Sequence, residues 1–306
     1  MAGELLGQPQ PSQRAARVVD AARAQTGTEV HSVEPGDLGC SPPQIFVRVS
    51  HGRSAYHEHW AYRELSAYRK LGSTNSLGTT VSYRIIDVDT HITEPADVWT
   101  SRVPRKFADR VPRVERIDGR DVWLLDGERF GAVGPTAPAG WNKPMPDMPT
   151  GYDDIHRASF DSTARLELMD KRGVWAEVLY PNVAGFGGQK FISLNDRELM
   201  YECVRAYNDF QTDWCSVDSR RLIPTMATPF WDVDECVREI ERCAAKGFRA
   251  INFTGEPQVF GFPFLGESYW DPFWSAACDH GMVVSFHIGS GEFNWNHKRV
   301  EKRGFT

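Results

Sequence analysis

The sequence predicts an α/β fold, a (β/α)8 TIM barrel that is incomplete, with about five of its eight strands. From residue 84 onward, short continuous apolar runs alternate with amphipathic segments, as parallel strands covered by helices do. Polar side chains follow the ends of several of these strands, as at the catalytic face of a barrel. No strand is followed by a glycine-rich phosphate-binding motif, which disfavours a doubly wound nucleotide-binding sheet.

The first predicted strand begins at Arg84 and carries a β-branched, apolar run into Asp89-Thr90-His91. Residues two apart in a strand project to the same face, so Asp89 and His91 can bind one metal ion together. An isolated Asp-x-His more often reflects turn chemistry and ordinary hydrogen bonding. Glu94 follows, either as a partner that orients a metal ligand or as a plain surface carboxylate.

Three elements are expected between this strand and the regular alternation. Residues 96–103 suggest a short helix. Two Asp-Gly pairs flank the apolar run 122–125, which predicts a β-hairpin insertion over residues 113–132. Residues 135–149 are rich in glycine, proline and methionine and predict a long loop that contains Trp141.

From Asp161 onward, helices and strands alternate regularly. Asn195 is the candidate N-cap of the longest helix, with Glu198 three residues on as in a capping box. Gly247 and Gly281 each follow a helix, as C-terminal glycines do. Helices are predicted over residues 163–172, 195–217, 232–246 and 270–280, and strands over residues 176–180, 222–229, 249–253 and 282–288.

The composition is that of an ordinary globular protein, with 41% hydrophobic and 25% charged residues. A net charge of -6 argues against a nucleic-acid partner. No apolar run approaches the ~20 residues of a membrane helix, and no signal peptide is recognisable. The six cysteines form no Cys-x-x-Cys pair, which disfavours a zinc knuckle. We therefore expect a cytoplasmic protein with free thiols, a small-molecule substrate and neither a membrane nor a nucleic-acid partner.

Residues 1–82 differ from the rest, with few periodic apolar positions. We expect a mobile, poorly ordered N-terminal extension there and a partial barrel over residues 83–306. The histidines at 51, 57 and 59 are more consistent with a solvated loop than with a metal site, because no cysteine or carboxylate framework accompanies them.

Six blocks of sequence carry a family resemblance. They are DVDTHITEP (87–95), GVWAEVLYPN (173–182), RAYNDFQTDWC (205–215), RLIPTMATPFWD (221–232), KGFRAINF (246–253) and YWDPFWSAACDHGMVVSFHIGSG (269–291). In order and spacing they resemble the amidohydrolase superfamily. More narrowly, they resemble the branch that contains aminocarboxymuconate-semialdehyde decarboxylase and γ-resorcylate decarboxylase.

The resemblance implies a metal site. In that family the first strand supplies a pair of ligands to one divalent metal, and here the pair is Asp89 and His91. The resemblance implies zinc as the first candidate for this metal and manganese as the alternative. The fifth strand supplies a histidine, here His287, which also ends the fifth strand of the alternation counted from the sequence alone. Asn252 stands where many members have a carboxylated lysine or a glutamate between two metals, which implies a mononuclear site. The resemblance also implies a possible homodimer.

The family pattern continues past the end of this sequence. It includes a histidine on strand six, thought to act as acid and base, and a metal-binding aspartate on strand eight. Neither has a counterpart before Thr306, so the catalytic residues are unknown and the chain resembles a C-terminally truncated member.

The function implied is a metal-dependent hydrolase or a non-oxidative decarboxylase that acts on a small carboxylic acid, aromatic or dienic. Trp141 and Phe186 favour such a planar substrate if they stack on its ring, whereas ordinary loop packing also explains them. The alternative is a catalytically inactive, truncated fragment that retains a partial metal site. A third hypothesis, an interaction module in residues 1–80, lacks a supporting charge block or amphipathic motif.

Overall fold

The structure, a computed structural model, describes residues 84–287 and 289–290. The described part contains eight strands and four α-helices. The strands are β1 (Ile85–His91), β2 (Arg113–Ile117), β3 (Arg120–Leu125), β4 (Glu128–Ala132), β5 (Val174–Tyr180), β6 (Leu222–Ala227), β7 (Ala250–Phe253) and β8 (Val283–Phe286). The helices are α1 (Ser162–Arg172), α2 (Arg197–Cys215), α3 (Val233–Ala245) and α4 (Asp271–Asp279). The predicted N-terminal extension and its three histidines lie outside the described residues.

Five strands form one sheet in the order β1-β5-β6-β7-β8, which is the parallel sheet of a partial TIM barrel. Neighbouring strands pair in parallel from β5 to β8. A helix separates each of these strands from the next along the chain. The predicted alternation and fold class are therefore confirmed, and the carboxyl ends of the strands meet at one edge of the sheet.

The described residues fall into two units by their contacts. One unit comprises residues 89–172 together with the chain from residue 176 onward, and the other includes residues 84–88 and 173–175. The predicted division at residues 82 and 83 lies outside the described residues and stays a prediction.

Strand β7 shows which face of the sheet the helices cover. The ring of Phe253 lies 4.3 Å from that of Phe273, which is within α4, and 5.3 Å from that of Trp270, which directly precedes α4. Because side chains alternate along a strand, Asn252 projects to the opposite face, toward the barrel interior. All four residues of β7 are buried, so both faces of this strand are packed.

The insertion after β1 is a three-stranded antiparallel sheet in the order β2-β3-β4. Its two turns contain Asp118-Gly119 and Asp126-Gly127, and all four residues have positive φ. Two consecutive positive φ values define the tight hairpin turn that Asp-Gly favours. The predicted hairpin is confirmed and gains a third strand, because each Asp-Gly pair closes a hairpin of its own.

The predicted short helix over residues 96–103 is wrong. This segment forms successive hydrogen-bonded turns, in which Arg102 and Val103 both donate their backbone N–H to the Trp99 carbonyl. Trp99 is fully buried and its indole N–H donates to the Cys203 carbonyl 3.0 Å away. The segment is only eight residues long between two prolines, so burying this one indole outweighs forming a regular helix.

The N-cap of α2 is Asp196, not the predicted Asn195. The Asp196 carboxylate accepts the Leu199 N–H, which satisfies one of the donors left free at a helix start. Asn195 instead has a left-handed φ of 51° and ends a preceding 3₁₀ turn over Gln189–Leu194. Asparagine tolerates this conformation better than most residues, so one position serves the turn and the next serves the helix.

A buried ion pair fixes α1 to the sheet. The Arg165 guanidinium donates to the Glu177 carboxylate on β5 at 2.8 Å, and both side chains are about one-tenth exposed. The same guanidinium donates to the backbone carbonyls of Ala158 and His91. The fork of five N–H donors on arginine suits this arrangement, because it serves a carboxylate and two carbonyls at once.

Replacing Arg165 by methionine should therefore destabilise the fold. The Arg165→Met change removes the guanidinium that faces the buried Glu177 charge, and breaking a buried pair in this way typically costs about 3–5 kcal/mol. The control is Arg157→Ala, which removes a guanidinium that is exposed and pairs with Asp161 at 2.8 Å; that change should cost at most about 1 kcal/mol. Urea unfolding of both variants measures the difference, and equal losses would contradict the role assigned to the buried pair.

Candidate metal centre

The structure brings together the three residues predicted to bind metal. Strand β1 presents Asp89 and His91 on one face, with His91 Nε2 and Asp89 Oδ1 3.8 Å apart. His287 directly follows β8, and its Nε2 lies 3.0 Å from Asp89 Oδ1 and 3.1 Å from His91 Nε2. A strand from each end of the sheet thus contributes to one cluster, which we call the metal trio.

The spacing of the metal trio fits one metal ion. The candidate ligand atoms all lie within 4.8 Å of one another, and the residues are partly buried. Nitrogen and oxygen ligands lie about 2.0–2.2 Å from a bound zinc ion, so atoms about 3–4 Å apart can share one ion. One carboxylate and two imidazoles suit zinc, manganese or a similar divalent ion. The prediction that the site holds a single metal stays a prediction.

A backbone carbonyl orients the first imidazole of the trio. His91 Nδ1 lies 3.2 Å from the carbonyl oxygen of Pro181, in the segment after β5. A carbonyl oxygen can only accept a hydrogen bond, so Nδ1 carries the proton and donates it. In the neutral ring, Nε2 then has the lone pair and faces the other two residues. Histidines that bind metal are commonly held in this way through the opposite ring nitrogen.

Two aromatic side chains pack against the imidazoles. The Phe186 ring lies 4.2 Å from the His287 ring and 5.0 Å from the His91 ring. The Tyr180 ring lies 5.1 Å from His287, and its hydroxyl shares a 2.5 Å hydrogen bond with Ser285. Stacking on a substrate and ordinary loop packing were the two alternatives for Phe186, and the structure places its ring beside the metal trio.

Trp141, the other aromatic residue predicted for the site, has different surroundings. Its ring packs against the ammonium group of Lys143 at 4.9 Å. Among the ring contacts of the described residues, none joins Trp141 to the metal trio. Residues 137–149 contain no helix or strand, as the predicted long loop requires.

Glu94 is fully buried, so of its two alternatives the plain surface carboxylate is wrong. Its Oε1 accepts the backbone N–H groups of Asn182 and Val183 at 2.9 and 3.0 Å. Burial raises the pKa of Glu94 to about 7, and the hydrogen bonds from the backbone only partly oppose this rise. A glutamate next to Pro95 after a strand gave no sign of its burial, because burial depends on the loop that closes over it.

Sequence reasoning missed the residues that fix the backbone of His91. Arg165 donates to the His91 carbonyl at 2.9 Å and pairs with Glu177. A signal was present, since Glu177 interrupts an otherwise apolar strand and a charge at such a position needs a buried partner. The identity of that partner required the tertiary structure.

Comparison with known proteins assigns the family. The sequence model described as amidohydrolase matches residues 86–303, which is most of the chain. The chain belongs to the amidohydrolase family. A search of curated proteins gives no match.

Solved structures of similar fold accompany this family match. An amidohydrolase from Mycobacterium avium subsp. paratuberculosis K-10 is 21% identical with a TM-score of 0.53, covering 68% of this chain and 60% of that protein. A 5-carboxyvanillate decarboxylase from Novosphingobium aromaticivorans, with bound manganese, is 18% identical with a TM-score of 0.46, covering 72% and 55%. IDCase from Metarhizium anisopliae is 16% identical with a TM-score of 0.45, covering 72% and 55%. The chain thus spans about 60% of the first of these proteins.

None of the described helices has the length and apolar character needed to cross a membrane.

The raised pKa of Glu94 predicts a pH-dependent stability. An acid whose pKa is raised by folding stabilises the folded state while it is protonated, and this contribution is lost as the pH rises from about 4.5 to about 7. The shift corresponds to about 3 kcal/mol at most. The free energy of unfolding of wild type should therefore fall relative to that of Glu94→Gln between pH 5 and pH 8. Urea unfolding in EDTA measures it, and a constant difference across this range would refute the assignment.

Proposed function

We propose that Asp89, His91 and His287 bind one divalent metal ion. Zinc is the first candidate for this ion, and manganese is the alternative. We further propose that this centre belongs to a metal-dependent hydrolase or non-oxidative decarboxylase acting on a small carboxylic acid, aromatic or dienic. The convergence of one carboxylate and two imidazoles from opposite ends of the sheet is the observation that supports the proposal. Family membership is consistent with it.

The described residues support metal binding through charge and orientation. A bound metal would polarise a substrate oxygen or lower the pKa of a bound water toward ~7. Asp89 supplies the negative charge that partly offsets the charge of the ion. His91 is held with Nε2 toward the trio by its hydrogen bond to Pro181. Phe186 and Tyr180 pack against the imidazoles, which limits the access of water to them.

Phe186 supports the choice of a planar substrate. Its ring is half-buried and already lies in tilted contact with His287, so one aromatic face borders the metal trio. Aromatic pairs contribute about 0.5–1.5 kcal/mol beyond the area they bury. An aromatic or dienic acid can present its carboxylate to the metal while its flat face contacts this ring. Hydrolysis and decarboxylation would both use this arrangement. A homodimer is proposed from the resemblance alone.

The first test is metal binding by the full chain. Wild type should hold about one zinc ion per chain, and zinc at 100 times its dissociation constant should raise the free energy of unfolding by about 3 kcal/mol. The His287→Ala variant should lose both the metal and this stabilisation, because it retains only two ligands. The control is His280→Ala, which removes an exposed histidine just after α4 and should behave as wild type. Elemental analysis and urea unfolding with zinc, manganese or EDTA give the two readouts.

Three outcomes would count against the proposal or a part of it. Wild type without metal would remove the basis for either reaction. Equal metal content in wild type and His287→Ala would place the metal elsewhere. A chain that binds metal at the trio but turns over neither class of substrate would favour the alternative of an inactive fragment with a partial site.

Phe186 can be tested with two ligands of similar size. Benzoate and cyclohexanecarboxylate present the same carboxylate, but only benzoate has a π face. In the metal-loaded protein, Phe186→Leu should weaken benzoate binding several-fold, as expected for a loss of about 1 kcal/mol, and change cyclohexanecarboxylate binding little. Isothermal titration calorimetry measures both, and an equal loss for the two acids would argue against stacking.

A further inference from the structure

A single peptide group connects Glu94 with His91. The group between Pro181 and Asn182 contributes its carbonyl to His91 Nδ1 at 3.2 Å and its N–H to Glu94 Oε1 at 2.9 Å. The order of contacts is therefore carboxylate, peptide N–H, peptide carbonyl and imidazole. Carboxylates commonly hold metal-binding histidines directly, whereas here a peptide group stands between the two.

We propose that Glu94 is a positioning residue for the metal centre, which acts on His91 through the Pro181–Asn182 peptide. This inference rests on the proposed metal site and assigns to it a residue with no direct contact to the metal trio. Glu94 fixes the rotation of the peptide plane, and the peptide carbonyl fixes the tautomer and the ring orientation of His91. Hydrogen bonds in such a chain also polarise one another, which makes the carbonyl a better acceptor and His91 Nε2 a better ligand.

The arrangement around Glu94 is built to hold this peptide. Oε1 accepts the N–H groups of two consecutive residues, Asn182 and Val183. Rotation of the Pro181–Asn182 peptide would break the first of these hydrogen bonds, and the second holds the next peptide of the segment. The Asn182 side chain donates to the Ile92 carbonyl at 3.0 Å, which ties the segment after β5 to the segment after β1.

Glu94 is itself held in place. Its backbone carbonyl accepts a hydrogen bond from the Tyr152 hydroxyl at 2.5 Å, and the N–H of the preceding Thr93 donates to the Ser159 carbonyl at 2.9 Å. A fully buried carboxyl group is costly to place, since burial raises the pKa of Glu94 to about 7 even though backbone hydrogen bonds lower it. The hydrogen bonds from the Asn182 and Val183 N–H groups offset part of this cost. The peptide that contains the Asn182 N–H also contacts His91 through its carbonyl.

The same segment supplies the aromatic neighbour of His287. Phe186 lies four residues after Asn182 and packs on the His287 ring at 4.2 Å. Glu94 therefore fixes the start of a segment that reaches two of the three proposed ligands, one through a carbonyl and one through an aromatic ring.

The test compares three variants of the full chain. Glu94→Ala removes both acceptor contacts and should weaken zinc and manganese binding about 10- to 100-fold, the usual effect of losing a group that orients a metal ligand. Glu94→Gln keeps an oxygen that can accept both N–H groups and should stay within about threefold of wild type. Glu239→Ala is the matched control, because Glu239 is a buried carboxylate on α3 that pairs with Asn208 and Arg242 instead. It should bind metal as wild type does.

A second measurement does not depend on metal or on the folding of Glu94→Ala. Nitrogen-15 NMR of histidine in the metal-free wild type should show His91 protonated at Nδ1, with a proton that exchanges slowly, and Glu94→Gln should show the same. Three outcomes would overturn the proposal: His91 protonated at Nε2, equal loss of metal affinity in Glu94→Gln and Glu94→Ala, or equal loss in Glu94→Ala and Glu239→Ala. Wild type that binds no metal would overturn the proposed function, and the tautomer would still test the hydrogen bond from His91 to Pro181 through which Glu94 is proposed to act.

Discussion

The buried pair of Arg165 and Glu177 is the interaction on which the candidate site depends. Arg165 donates at the same time to Glu177 on β5 and to the backbone carbonyl of His91 at the end of β1. One guanidinium therefore sets the positions of the first helix and of the backbone of His91. Buried ion pairs often contribute little net stability compared with apolar packing, so the value of this pair lies mainly in geometry.

A second set of contacts orients the imidazole ring of His91. Its ring donates to the Pro181 carbonyl, and Glu94 holds the same peptide from the other side. The backbone of His91 is thus fixed by a cation and its ring by a peptide anchored on a carboxyl group. Metal affinity depends on such preorganisation, because ligands that are already aimed at one point lose less entropy on binding.

The sequence predicted the parallel alternation and the proximity of Asp89, His91 and His287 because both leave local signals. Continuous apolar runs with polar ends marked the strands, and Asp89, His91 and His287 stood at those ends. The buried state of Glu94 left no such signal, and Glu177 within an apolar strand indicated a buried partner without identifying Arg165, since both outcomes depend on segments distant along the chain. Local effects explain the error over residues 96–103, where turns that bury Trp99 stand in place of the predicted short helix.

Strand β8 has a consequence for the behaviour of the protein in solution. Its only neighbour among the described strands is β7, and Val283 and Phe286 are 68% and 47% exposed. A strand edge with exposed apolar side chains can pair with the same edge of another molecule. Self-association through this edge would therefore grow with protein concentration. A dimer detected at high concentration could arise from this edge, and dilution would distinguish it from a dimer of defined interface.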